Sequence, residues 1–319
     1  MKKIYYITAV FATLFLVGCG DGIDLPGVNV ETDLNKIPLP DNNVNLEQVE
    51  LKPSTEPMLH EGLHTEEDFQ RIRDKKAAGE EPWVSAYQLL VESQFSQKTA
   101  DTYPTEWIKR GVSGDENYMN AARGATIAYQ QALRWKIEQD DEYAAKAVEN
   151  LNKWVQTCVG VTGNTNLSLA AGLYGYEFAI AGELLRDYGG WDRADFAAFQ
   201  NWLLKVFYPA NDDFLKRHHD TNALHYWANW CLCNIAAKMA IGIVTDRRDI
   251  YNEGIDHLQT GDTNGRLRRA IYHDYAPDYN FAQWQESGRD QGHTLMCVGL
   301  MGIICQLAWS QGDDFFAYD

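Results

Sequence analysis

Three short stretches of this 319-residue chain concentrate groups that bind charge or carry protons. They are "RHHDTNALHYWANW" (217–230), "GRLRRAIYHDYAPDYN" (265–280) and "WQESGRDQGH" (284–293). The last sets Trp284, Gln285, Glu286, Arg289, Asp290 and His293 directly before the apolar run "TLMCVGLMGIICQLAW". Aromatic and charged groups at a helix start form an anion-binding surface, because the first N–H groups and the helix dipole favour negative charge. The planar fork of Arg289 suits a carboxylate, and His293 lies one helical turn beyond it, on the same side. The competing reading is a polar loop that merely starts a core helix.

The elements that must position these groups read almost entirely as helices. Thr65 precedes "EEDFQRIRDKKAAG" as an N-cap, with an acidic first turn and Gly79 as terminator. "ENYMNAARGATIAYQQALRWKIEQ" and "DEYAAKAVENLNKWVQTCV" form a pair across a short acidic turn, and "LHYWANWCLCNIAAKMAIGIVT" pairs with "DRRDIYNEGIDHL". Asp192 opens "RADFAAFQNWLLKVFY", and strand patterns are nearly absent. The small residues of "LAAGLYGYEFAIAGE" fit an inner helix with close neighbours. Long apolar helices alternating with amphipathic ones predict an all-α fold, an (α/α) toroid or incomplete barrel of helix hairpins. The chain stops at "QGDDFFAYD", which reads as a truncation that leaves out C-terminal helices.

The start, "MKKIYYITAVFATLFLVGCG", has two lysines before an apolar run too short to span a membrane, so residues 1–18 read as a signal peptide. Leu16-Val17-Gly18-Cys19 resembles the bacterial lipobox, which makes Cys19 the lipidated first residue of the mature protein. Residues 19–60, with five prolines among polar residues, read as an extended linker or arm, and 61–319 as the toroid domain. The expected location is the outer membrane, on its periplasmic or cell-surface side. Of six cysteines, the five beyond Cys19 fall in apolar helical patterns and read as buried thiols. No zinc-ligand spacing occurs, so no metal site is expected.

A formal charge of −17 argues against a nucleic-acid partner. The charge is uneven, however. Residues 216–290 carry nine Lys and Arg against ten Asp and Glu, and the rest of the chain carries 19 against 35. Because salt confines exposed charges to about 8 Å, a polyanion can still bind the second half.

The stretches "HYWANWCLCNIAAKMAIGI", "DRRDIYNEGIDHL" and "WQESGRDQGHTLM" combine polar and aromatic residues that helix packing does not demand. From about residue 60 onward the chain resembles the alginate-lyase-like domain of secreted bacterial polysaccharide lyases, in the Bacteroidota branch. Polysaccharide lyase family 38 looks nearest and family 5 shares the fold. The resemblance implies cleavage of a uronic-acid polymer by β-elimination, without a cofactor. The C6 carboxylate must be neutralised, the C5 proton removed and the departing O4 protonated. The family uses Asn, His and Arg for the first task and a tyrosine for the other two.

Carried over, Arg268 and Tyr275 match the family's spacing of Arg and catalytic Tyr, with Tyr272 and Tyr279 as alternative tyrosines. His225 stands near the family's Asn-His element. Asn222 and His225 are separated here where the alginate enzymes have the two adjacent, which leaves open whether His225, His219 or Asn229 faces the carboxylate. Catalytic candidates are therefore Tyr275, His225 and Arg268. Substrate-binding candidates are Arg289, Asn222, Asn229, Trp227, Trp284, Glu286 and His293, with Glu286 and Asp290 orienting their neighbours. Tyr226, Trp227 and Trp230 also fit a core, and Tyr103 with Trp107 would form a lid. The expected partners are an acidic polysaccharide and, through Cys19, the outer membrane, with the protein a monomer. The single tyrosine-bearing segment favours syn elimination on a β-1,4-linked D-uronan, either glucuronan or polymannuronate. Two rivals remain: a non-catalytic glycan-binding lipoprotein, and a toroidal glycoside hydrolase using Asp220, Asp274 or Glu286.

Overall fold

A computed structural model describes residues 55–275, 278 and 281–317; the signal peptide, Cys19, Tyr279 and Asn280 lie outside the described residues. Helix α1 (Glu66–Ala77) starts at a complete capping box: the Thr65 side chain accepts from the Asp68 N–H, and the Asp68 carboxylate accepts from the Thr65 N–H. It is followed by α2 (Trp83–Glu92), α3 (Tyr118–Glu138), α4 (Asp141–Thr157), α5 (Leu167–Leu184), α6 (Arg193–Val206) and α7 (Tyr208–Arg217). Then come α8 (Ala228–Val244), α9 (Arg248–Thr260), the single turn α10 (Leu267–Ala270) and α11 (Gln291–Ser310). The fold is helical, as expected.

Packing sorts the helices into two layers. Helices α3, α5, α8 and α11 each pack on the next, and α4, α6, α7 and α9 flank this row. Composition explains the sorting: every residue of α5 from Ser168 to Leu184 is buried, whereas α4 and α9 bury one stripe each. Small residues let the inner helices approach. A Cβ on Gly172 would lie 2.5 Å from Cys233 Sγ of α8, and one on Gly182 would lie 2.1 Å from the Phe199 ring. The five described cysteines are all buried and unpaired.

Two features depart from the sequence reading. Among the described residues four short strands form two sheets: β1 (Trp107–Arg110) parallel to β2 (Gly160–Gly163), and β3 (Ile271–Asp274) antiparallel to β4 (Ala282–Trp284). Strands of three or four residues are too short to show a period of two. Helix α8 begins at Ala228, not at Leu224, so His225, Tyr226 and Trp227 lie on the segment before it. Packing also reaches ahead of residue 61. Met58 is buried, and the Gln311 side chain bonds the Leu59 N–H at 2.8 Å and the Glu61 carbonyl at 2.7 Å.

Glu177 is buried inside α5, and its Oε2 has no hydrogen-bond partner among the described residues. Burial pushes its carboxyl up to about 8. A carboxyl that keeps its proton when folded but loses it when unfolded makes stability fall as pH rises from about 4.5 to 8. Burial holds His64 and His257 down to about 4, which gives the opposite slope, but only below pH 6.5. Between pH 6.5 and 8 only Glu177 acts among these three, and stability is expected to fall by about 2 kcal/mol. In Glu177→Gln this decline disappears, as urea denaturation at the two pH values will show; an unchanged decline would place its origin elsewhere.

Candidate active site

The start of α8 carries no side-chain cap of its own. The first N–H groups of a buried helix need acceptors, and the turn after β4 supplies them. Gln285 Oε1 accepts from the Ala228 N–H at 2.8 Å, and Glu286 Oε1 accepts from the Asn229 N–H at 3.1 Å. Glu286 is fully buried. Its Oε1 also takes the Cys297 thiol at 3.2 Å, and its Oε2 pairs with Arg289 Nη1 at 3.2 Å. Burial first, and the Glu286 charge second, push the Cys297 thiol far up.

Arg289 is thereby fixed at one end while its side chain stays about one-third exposed. Its guanidinium lies 5.9 Å from the Trp227 ring centroid, and Trp227 is itself 44% exposed. Asp290 is the N-cap of α11, accepting from the His293 N–H at 2.8 Å and bonding His293 Nδ1 at 2.6 Å. That backbone hydrogen bond, together with the His293 ring and Arg289, holds the Asp290 carboxyl below its usual range. Asp290 Oδ2 also stands 3.7 Å from Arg289 Nε. Arg289 thus precedes the helix instead of belonging to it, and Asp290 brings it together with His293, not the helical periodicity expected from the sequence.

The segment before α8 is tightly shaped. His218, His219 and Asp220 all have positive φ, at 49°, 53° and 59°. Such a run in residues with a Cβ is strained and needs surrounding contacts to hold it. His218 is buried with Nε2 3.8 Å from Cys231 Sγ, and burial lowers its pKa. His219 Nε2 meets Ser168 Oγ at 3.0 Å, and Asp220 pairs with Arg217. The exposed Asn222 accepts from the Leu224 N–H through its side chain and from the His225 N–H through its carbonyl. His225 is exposed, with its ring edge-on to Tyr226 at 4.9 Å. Tyr226 packs on Trp230 at 4.7 Å and on Phe214, so this pair belongs to the core, unlike Trp227.

Asn264, which the sequence reading did not select, donates to the carbonyls of Leu224 and Tyr226 and holds this segment in place. Its signal was the turn "DTNG", where asparagine side chains commonly bond backbone. Asn229, in the first turn of α8, is buried with Oδ1 unpartnered among the described residues.

Arg268, half-buried, sits on α10, and Tyr275 follows β3. The Tyr275 hydroxyl donates to Gln283 Oε1 at 3.2 Å, and its ring contacts His273 at 4.5 Å and Phe281 at 4.9 Å. Tyr272 is 69% exposed. Strand pairing sets Ile271 opposite Trp284, which is half-buried against the core. The β3–β4 pair therefore leads from Arg268 and Tyr275 straight into the turn that caps α8. Tyr103 and Trp107 are each about 40% exposed; Arg123 lies 5.7 Å from the Tyr103 ring, and Trp107 covers Gly160.

Residues 72–319 match the family model described as alginate lyase. The chain is a polysaccharide lyase, and it belongs to the alginate lyase family. Among solved structures it is similar to alginate lyase A1-III from Sphingomonas species A1, with a TM-score of 0.56 at 13% sequence identity. The likeness covers 82% of this chain and 74% of that one. At that identity it speaks for a shared fold alone. No curated protein matches the sequence.

Proposed function

We propose that the protein cleaves a β-1,4-linked D-uronan, glucuronan before polymannuronate, by syn β-elimination. The observation that carries this reading is the β3–β4 pair, which ties Arg268 and Tyr275 to the capped start of α8, where Asn229, Trp227 and Arg289 stand. Tyr275 acts as base toward the C5 proton and then as acid toward O4. Arg268 neutralises the C6 carboxylate, with His225 or Asn229 donating beside it. Trp227 and Trp284 offer apolar faces to the sugar rings, and Arg289, held by Glu286 and Asp290, takes a carboxylate. His293, bonded to Asp290, and Asn222 complete the proposed substrate-binding set.

A hydrolase reading is the weaker one. Glu286 is fully buried and occupied with the Asn229 N–H, the Cys297 thiol and Arg289, and Asp220 is an exposed partner of Arg217. Mass analysis of the products tests the choice: elimination gives fragments one water lighter than hydrolysis does, and fragments of hydrolytic mass would refute the proposal.

For Arg289→Lys the specificity constant is expected to drop about ten-fold, because a point charge cannot reproduce a fork that meets Glu286 on one side and substrate on the other. An unchanged value would remove Arg289 from the site. We also propose that Cys19 carries a lipid that tethers the protein, as a monomer, to the outer membrane. Cys19→Ser is expected to move the protein out of the membrane fraction; retention after a high-salt wash would refute the anchor.

A further inference from the structure

Left-handed backbone is unusual in residues that carry a Cβ, because the Cβ crowds the following carbonyl oxygen. Elsewhere among the described residues other than glycine, positive φ occurs at single positions, Tyr103, Gln139 and Asp246. His218, His219 and Asp220 are three in succession, and glycine takes none of the places. A strained run persists only where its surroundings fix it, and strain of this kind collects at working sites. The run joins the end of α7 to the segment that carries Tyr226 and Trp227 into α8.

Each member has its own hold. The His218 carbonyl accepts from the Thr221 N–H at 3.1 Å and from the Thr221 hydroxyl at 2.6 Å, and the buried His218 ring packs on Phe214 at 4.9 Å. Asp220 pairs with Arg217 at the surface, where an ion pair contributes little. His219 is held from the interior, with its Nε2 hydrogen-bonded to the Ser168 hydroxyl at 3.0 Å. Ser168 is buried in the first turn of α5, and its carbonyl accepts from Asn234 Nδ2 of α8 at 3.2 Å. Asn234 Oδ1 in turn accepts from Asn211 of α7 at 2.7 Å. The hydroxyl that seats His219 is thus tied to α5, α7 and α8 at once. The His219 ring also contacts Phe214 at 5.5 Å and, edge-on, Tyr226 at 5.7 Å. Tyr226 directly precedes the exposed Trp227, so the conformation at His219 governs where Trp227 stands.

We propose that His219 is a positioning residue: seated on Ser168, it holds the 218–220 turn in its left-handed form, sets Tyr226 and Trp227 before α8, and does not itself contact the substrate. This rests on the lyase reading above and deepens it, because it leaves His225 or Asn229 as the donor beside the activated carboxylate. What the site needs at position 219 is a backbone conformation, and the imidazole is the means of holding it.

The test compares Ser168→Ala, His219→Ala and His219→Gly with the parent, each as the full chain. Both alanine variants lose the bond, and a Cβ at position 219 still resists the left-handed form; glycine adopts that form without the bond. Amide hydrogen exchange over 218–230, read by mass spectrometry, is expected to quicken in the two alanine variants and to return toward the parent in His219→Gly. On glucuronan, KM is expected to rise about five-fold in each alanine variant with kcat within about two-fold, and His219→Gly recovers most of that loss. The double variant Ser168→Ala with His219→Ala is no worse than either single one, since the same bond is removed. His219→Asn, which also tolerates left-handed backbone, serves if the glycine variant does not fold. Equal losses in His219→Ala and His219→Gly with Ser168→Ala unimpaired would put the imidazole on the substrate and overturn the proposal. Parent-like exchange in both alanine variants would overturn it as well. Failure of the parent to cleave any uronan would sink the uronan reading, while the exchange measurement still decides the role of the turn.

Discussion

Tyr275→Phe lowers the rate of elimination by 10²-fold or more and leaves polymer affinity within a factor of about three. The substitution removes one hydroxyl and keeps the ring, whose contacts with His273 and Phe281 do not depend on it. In the free enzyme that hydroxyl is parked on Gln283 Oε1 at 3.2 Å, a neutral and rather long hydrogen bond that a substrate can displace. The drop should therefore appear in kcat, with KM little changed. Near-normal turnover would move the proton-transfer role to Tyr272 or Tyr279. Rapid-quench rates and equilibrium binding of the same variant separate these outcomes.

The second large effect concerns stability. Glu286→Ala is expected to cost about 3 kcal/mol or more, because it removes one carboxylate that serves the Asn229 N–H, the Cys297 thiol and the Arg289 guanidinium together. The buried start of α8 then loses an acceptor and Arg289 loses its anchor, so folding and binding suffer from one change. Glu286→Gln keeps an acceptor for the N–H and loses only the ion pair, so it should fall between the two. Chemical denaturation of the three proteins gives the order; an alanine variant as stable as the parent would show that α8 is capped in another way.

These two residues also mark what the sequence made legible. The helix hairpins could be read because apolar periodicity and caps such as Thr65 with Asp68 are local signals. Arg268 and Tyr275 were picked out by the family resemblance, which matches their spacing, and not by a local structural signal. The start of α8 was not legible, because its N–H groups are satisfied by Gln285 and Glu286, which lie 57 residues away in the chain. The short strands, among them the one that leads to Tyr275, left no periodic trace. Asn264 escaped notice because what distinguishes it is a tertiary partner, the carbonyls of Leu224 and Tyr226.

The polar stretch Trp284–His293 serves a helix other than the one it precedes. It is the cap of a core helix through Gln285 and Glu286, and it presents Arg289 beside the exposed Trp227. Substrate stereochemistry brings the rest to a single measurement. D-Glucuronate and D-mannuronate place the C5 proton and O4 on the same side of the ring, so one tyrosine can handle both; L-guluronate places them on opposite faces. Initial rates of formation of the conjugated 4,5-double bond, followed by ultraviolet absorbance, are compared on glucuronan, polymannuronate and polyguluronate. The account predicts fastest cleavage of glucuronan, slower cleavage of polymannuronate and little or none of polyguluronate. Rapid cleavage confined to polyguluronate would contradict it.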